Sequence, residues 1–144
     1  MNATIHKFGF PETLIRAWSH WLVLLRPAQP TLGSLVLAAT GEATAFGDLP
    51  AEAFDELAQV TATIERALTE VIVYDRLNYL MLMMVDPHVH FHVLPRYAGT
   101  RRINGLEIAD AGWPGVPMLG EAITLDRHQI DELGNALRPA FVAV

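Results

Sequence analysis

Residues 86–97 read Asp86-Pro87-His88-Val89-His90-Phe91-His92-Val93-Leu94-Pro95-Arg96-Tyr97. Successive side chains of a β-strand point to opposite faces, so this pattern predicts a strand over 88–94 with His88, His90 and His92 on one face. Val89, Phe91 and Val93 would point the other way, into a core. Half of the chain's six histidines then share one exposed line, with Arg96 further along it. A half-buried strand usually serves its polar face with Thr, Ser, Lys or Glu, and stacked imidazoles pack no better than these. The line reads as chemistry and not as scaffolding.

Upstream of it, Arg76 to Met84 reads as a strand apolar enough to be buried on both faces, joined to the histidine strand by the Asp86-Pro87 turn. The Met-rich run Met81-Leu82-Met83-Met84 reads as core filling. Further back, Phe54, Leu57, Ile64, Leu68, Val71 and Ile72 recur at helical spacing. This is one apolar stripe on a helix of about 21 residues that starts with Pro50 as its first helical residue. Short strands are predicted at 13–17, 20–25 and 35–39, with Arg26 to Pro30 as a break between the last two, because proline removes a ladder donor. Downstream of Tyr97 the chain is glycine-rich and reads as loop as far as Leu119. A last helix spans about Asp126 to Leu137, opened by a capping-box pair, Asp126 and Gln129, and stopped by Pro139.

With 144 residues, 51% hydrophobic and 18% charged, the composition suits one domain spanning 1–144 with a proper core. A net charge of −6 and no basic cluster beyond Arg101-Arg102 argue against nucleic-acid binding by phosphate neutralisation. No cysteine is present, which removes thiol catalysis and Cys-based zinc sites and suits a reducing cytoplasm. Neither a signal peptide nor a membrane-length apolar run is visible, so a cytoplasmic protein without membrane partners is expected.

Two chemistries fit three alternating imidazoles. A metal is one, but His88 and His92 would stand about 13 Å apart along a strand, too far for three rings to converge on a zinc ion. A further ligand would have to come from His6, His20 or His128, and nothing in the spacing brings one in. The second is phosphate chemistry, in which a neutral imidazole attacks phosphorus and splits one hard step into two easier ones. Flanking histidines and Arg96 would disfavour protonation of the central ring, while the outer rings donate to phosphate oxygens or orient the nucleophile.

His88-Val89-His90-Phe91-His92-Val93-Leu94, followed by Pro95-Arg96, resembles the signature of the histidine triad (HIT) family. The strand–Gly33-Ser34–strand, long helix, and strand carrying Asn78 are similar to that family's layout, so the resemblance covers roughly 13–97 and leaves 98–144 as a C-terminal extension. It implies an α+β, HIT-like fold: an antiparallel five-stranded sheet with one long and one C-terminal helix, commonly assembled as a homodimer in which two sheets run together. The implied activity is that of a hydrolase or nucleotidyl transferase acting at the α-phosphate of dinucleoside polyphosphates, nucleoside phosphoramidates or sugar nucleotides. Carried over by position, His90 would be the nucleophile, His92 would contact the phosphate and His88 would orient the nucleophile. Asn78 lies within about one residue of the family's phosphate-contacting Asn, and Gly33 matches its glycine before the third strand. With Arg96, Ser34 and Arg26, these form the expected substrate-binding set. The implied chemistry requires no cofactor and no protein-held metal; a divalent cation would enter, if at all, with a polyphosphate substrate.

The chain departs from the family pattern at several positions. Ser34 stands where many members place a histidine, and Arg26 where many carry an acid that holds the ribose hydroxyls, which leaves base and ribose preference open. Met84 falls where hydrolase branches have a glutamine, and a thioether cannot position an oxygen as an amide does. Asp86 is either a carboxylate partner for the histidines or simply a turn acid. Trp113-Pro114-Gly115 is similar to a Trp-Pro segment of some members, but its distance from the triad reads as a packed loop. These departures favour the alternative of a catalytically weak HIT-like nucleotide-binding module.

Overall fold

The computed structural model describes residues 1–142; the last two residues of the 98–144 extension lie outside them. Strands β1 (Leu14–Ala17), β2 (Trp21–Leu25), β4 (Leu35–Ala39), β5 (Arg76–Leu80) and β6 (His90–Arg96) form one antiparallel sheet in the order β1-β2-β4-β6-β5. The fold is α+β, as expected. A two-residue strand, β3 (Ala28–Gln29), lies between β2 and β4 and pairs with β9 (Ile123–Thr124). Arg26 to Pro30 is therefore not only a break: it holds the C-terminal segment against the sheet.

β2 and β4 are buried at every residue because both faces of the sheet are covered. Trp21, Val23, Leu25, Leu35 and Leu37 pack under α2 (Ala51–Val71), with Val60, Ile64 and Leu68 of the helix fully buried against them. Burying each such side chain contributes roughly 1.5–3 kcal/mol. The Trp21 indole donates to the Ala53 carbonyl at 2.7 Å and fixes the helix on the sheet. The predicted stripe is right in period, with two corrections. Phe54 is 40% exposed, lying against Phe46 at the margin while Ala53 takes the core position. Pro50 is the extended residue capping the helix, and the first helical residue is Ala51.

Leu22, Leu24, Val36 and Ala38 form a second apolar layer on the opposite face. It is closed by α1 (Ala3–Lys7), a five-residue helix that buries Ile5 completely and leads into Phe8 and Phe10. Asn2 caps it, accepting from the Ile5 N–H and donating to the carbonyls of Ala39 and Gly41 at the end of β4.

Four further expectations change. β5 ends at Leu80, and as the sheet's outer strand it is half-buried, not covered on both faces. Beyond it Leu82, Met84 and Val85 are exposed, and only Met81 and Met83 lean on the core, so the Met-rich run is not core filling throughout. The glycine-rich stretch holds a hairpin, β7 (Thr100–Ile103) and β8 (Leu106–Ala109), turned by Asn104 (φ 50°) and Gly105 (φ 83°). Two positive φ values are what a tight two-residue hairpin turn demands. The last helix, α3 (Arg127–Leu137), has the reciprocal Asp126–Gln129 capping box, and Pro139 converts it to a 3₁₀ turn without stopping it outright. Among the described residues no helix is long and apolar enough to cross a membrane.

Candidate active site

β6 places His90 and His92 on the α1 side of the sheet, opposite Ala38 and Val36 of β4. Their rings stand 5.2 Å apart, nearly perpendicular. The line they form is not exposed: His90 is 2% and His92 8% accessible. Phe8 is the reason, its ring centroid lying 5.6 Å from that of His90 and 5.8 Å from that of His92. Nothing in the histidine pattern reveals this cover, which comes from a helix too short to show a periodic stripe.

His88 is not on the strand. Val89 donates to the Ala43 carbonyl and accepts from the Ala39 N–H, which keeps the chain beside β4 before the ladder to β6 begins at His90. The His88 ring is turned toward α1 and the 41–43 loop, its Nδ1 2.9 Å from the Thr4 hydroxyl and its Nε2 3.5 Å from the Glu42 carboxylate. Its link to His90 runs through the backbone: His90 Nδ1 lies 2.7 Å from the His88 carbonyl. A carbonyl only accepts, so Nδ1 carries a proton, and the lone pair of the neutral ring is on Nε2.

His92 has the opposite arrangement. Arg26, just after β2, donates its Nε–H to His92 Nδ1 at 3.3 Å, so the proton of His92 is on Nε2. Burial, then Arg26, then His90 disfavour the charged ring, Asp86 opposes them weakly, and the His92 pKa falls to about 4. Arg26, not Arg96, is therefore the cation that acts on the imidazoles. Asp86 does belong to this neighbourhood, where it also pairs with Lys7 of α1 at 2.8 Å.

The rest of the expected set lies further along the same strands. Arg96 is buried and held by Asp110 at 2.7 and 3.1 Å, the Asn78 side-chain oxygen at 2.9 Å and the Gly115 carbonyl at 2.9 Å. Each of its three nitrogens already has a partner, and the Asp110 charge offsets its own. Asn78 has its amide nitrogen turned away from Arg96 and lines a cleft of about 460 Å³ walled by Trp113 to Pro117. Trp113-Pro114-Gly115 therefore does pack beside part of the expected set. Gly33 (φ 88°) and Ser34 are buried in the turn before β4, their N–H groups donating to Gln29 and the Ser34 hydroxyl donating to the Thr31 carbonyl. A Cβ on Gly33 would sit 2.8 Å from Ile72, so only glycine fits. The Ser34 carbonyl accepts from the Arg26 N–H at 3.0 Å and so seats that arginine. His6 lies edge-on to Phe10, His20 beside Glu56, and His128 beside Glu132, so none of them joins the triad. Among the described residues no three His, Asp or Glu side chains are grouped so as to hold a metal ion.

No protein-family model matches the chain, and no curated protein matches it. Solved structures do. A histidine triad protein from Bradyrhizobium japonicum superposes with a TM-score of 0.74 at 21% identity, over 99% of this chain and 97% of that one. One from Sinorhizobium meliloti gives 0.75 at 16% identity, over 97% and 95%. Diadenosine triphosphate hydrolase from Plasmodium falciparum gives 0.66 at 12% identity, over 90% of this chain and 76% of that one. The chain has the histidine triad fold.

Proposed function

We propose that this protein is a nucleotide-phosphate hydrolase or nucleotidyl transferase that works at the α-phosphate through His90. The observation that carries the reading is the 2.7 Å contact between His90 Nδ1 and the His88 carbonyl, which leaves the Nε2 lone pair free to attack phosphorus. In the first step Nε2 forms a bond to the α-phosphorus while the bond to the leaving group breaks; the leaving group departs with the electron pair and takes a proton from solvent, and the water of the second step gives one back. Water then attacks the phosphorus, the P–N bond breaks, and Nε2 regains its lone pair as nucleoside monophosphate leaves. His92 donates its Nε2–H to a phosphate oxygen, and His88 orients the nucleophile through its carbonyl. Arg26 supplies local positive charge, which the net charge of −6 otherwise denies an anionic substrate. Asn78 contributes its free amide nitrogen, held in place by Arg96, while Gly33 and Ser34 form the turn that seats Arg26.

Dinucleoside polyphosphates and nucleoside phosphoramidates are the substrate classes we assign; the fold shared with a diadenosine triphosphate hydrolase supports the first. No cofactor enters this scheme, and a divalent cation comes only with a polyphosphate. We place the protein in the cytoplasm as a homodimer acting on small nucleotides, without nucleic-acid or membrane partners. The test is steady-state release of nucleoside monophosphate from a panel of both substrate classes. Wild type should release it from at least one compound and His90→Ala from none; equal release by both proteins would sink the reading.

A second reading, a weakly catalytic nucleotide-binding module, is favoured by one observation. Met84 is 87% exposed in the loop ahead of the triad and brings no amide to the site. It predicts nucleotide binding without release of monophosphate.

A further inference from the structure

Arg26 is an unusual neighbour for an imidazole pair. It is half-buried, and among the described residues it forms no ion pair with a carboxylate, unlike Arg96, Arg101 and Arg127. What holds it is backbone and a ring. Its N–H donates to the Ser34 carbonyl, one amino group donates to the Ala28 carbonyl, and Nε donates to His92 Nδ1. A guanidinium has five donors and no acceptor, so this contact has only one possible sense. Whichever way an isolated imidazole would distribute its proton, the ring facing Arg26 must accept at Nδ1.

We propose that Arg26 is a positioning residue that acts through His92, fixing that ring's proton on Nε2 so that it meets the phosphate as a hydrogen-bond donor. The inference rests on the reaction proposed above and adds a role that its histidines alone do not define. Were His92 to carry its proton on Nδ1, Nε2 would turn a lone pair toward the phosphate oxygens and repel them. The two histidines are thus set in opposite tautomers by different means. A backbone carbonyl holds the His90 proton on Nδ1 and makes Nε2 the nucleophile, while a guanidinium holds the His92 proton on Nε2 and makes it the donor. The β2–β4 turn is the device that does this, because Gln29 braces Gly33 and Ser34, and Ser34 seats Arg26.

The charge state of His92 follows from the groups that face it. These are Arg26 from beyond β2, His90 on its own strand, and Asp86, which is itself paired with Lys7 of α1; Val36 of β4 and Leu80 of β5, on either side, are apolar. Removing the guanidinium removes the nearest fixed positive charge as well as the hydrogen bond.

The test is long-range ¹H–¹⁵N correlation spectroscopy of the imidazoles in the resting protein, in wild type, Arg26→Met and Arg26→Gln. Wild type should show His92 neutral at pH 7 with its proton on Nε2. In Arg26→Met the tautomers should mix and the His92 titration midpoint should rise by about one unit. Adduct formation on His90 should then slow by on the order of 10²-fold, as when one donor to a developing oxyanion is lost. Arg26→Gln loses the charge and can accept as well as donate, so it should no longer fix a single tautomer, and the midpoint should still rise. An Nδ1–H or mixed tautomer in wild type, or a His92 spectrum unchanged in Arg26→Met, overturns the proposal. A tautomer switch in Arg26→Met without any adduct in wild type would uphold the positioning of His92 and overturn the reaction assigned to His90.

Discussion

His92 makes the fold sensitive to acid. Its folded pKa of about 4 lies below the ordinary 6.5, so between these values the unfolded chain binds a proton that the folded one does not. Stability contributed by the neutral ring is complete above pH 6.5 and is lost as pH falls through this window toward 4. The full loss is about 3 kcal/mol at 1.36 kcal/mol per unit. Urea unfolding of wild type and His92→Gln at pH 7.5 and 4.5 checks this: the variant should lack most of the wild type's loss, and parallel losses would contradict it. At this scale the sequence is informative about His90 and His92, because a period of two and a short signature place them. It misleads about Arg96, whose partner Asp110 stands 14 residues away with no spacing rule to join them. Arg26 was legible only as a departure; its contact with His92 is made across 66 residues by a turn whose geometry depends on Gly33.

At the scale of elements, α1 and Phe8 decide whether the histidines can be reached. Three tethers hold this segment down: Asn2 on the end of β4, Thr4 on His88, and Lys7 on Asp86. His90 is only 2% accessible, and Phe8 is the ring packed against it. Phe8→Ala should therefore speed modification of His90 by diethyl pyrocarbonate severalfold, read by peptide mass; an unchanged rate would show that Phe8 is no cover. α1 is hidden in the sequence because five residues show no helical stripe and because a polar strand face reads as solvent-facing. The hairpin escaped for a different reason. Its Asn104-Gly105 turn is a strong local signal, yet the density of glycines around it reads as loop. β5 was legible as a strand, but its place at the sheet's edge is a property of strand order, which apolar content does not encode.

Across the whole molecule, one sheet separates two jobs. The face under α2 carries the larger core, from Trp21 through Tyr97 to Phe141, and the opposite face carries a small apolar floor beside the imidazoles. The larger core and the imidazole pair thus lie on opposite faces of the same strands. Ile64→Ala, at the centre of the larger core, should cost about 2–5 kcal/mol in a denaturant melt while leaving the imidazole tautomers unchanged; a smaller cost or altered His92 resonances would contradict this division. The overall architecture was legible because β2, β4, α2 and the histidine strand each declare themselves by an uninterrupted apolar run or a clean period. What covers the site was not, since it depends on which distant segment fills a given face. Covalent capture of a nucleotide by His90 can be read from intact-protein mass after brief mixing with adenosine and guanosine phosphoramidates and dinucleoside polyphosphates, wild type beside His90→Ala. A gain of one nucleoside monophosphate in wild type alone is the predicted result, and no gain with any compound that still binds by thermal shift would contradict it.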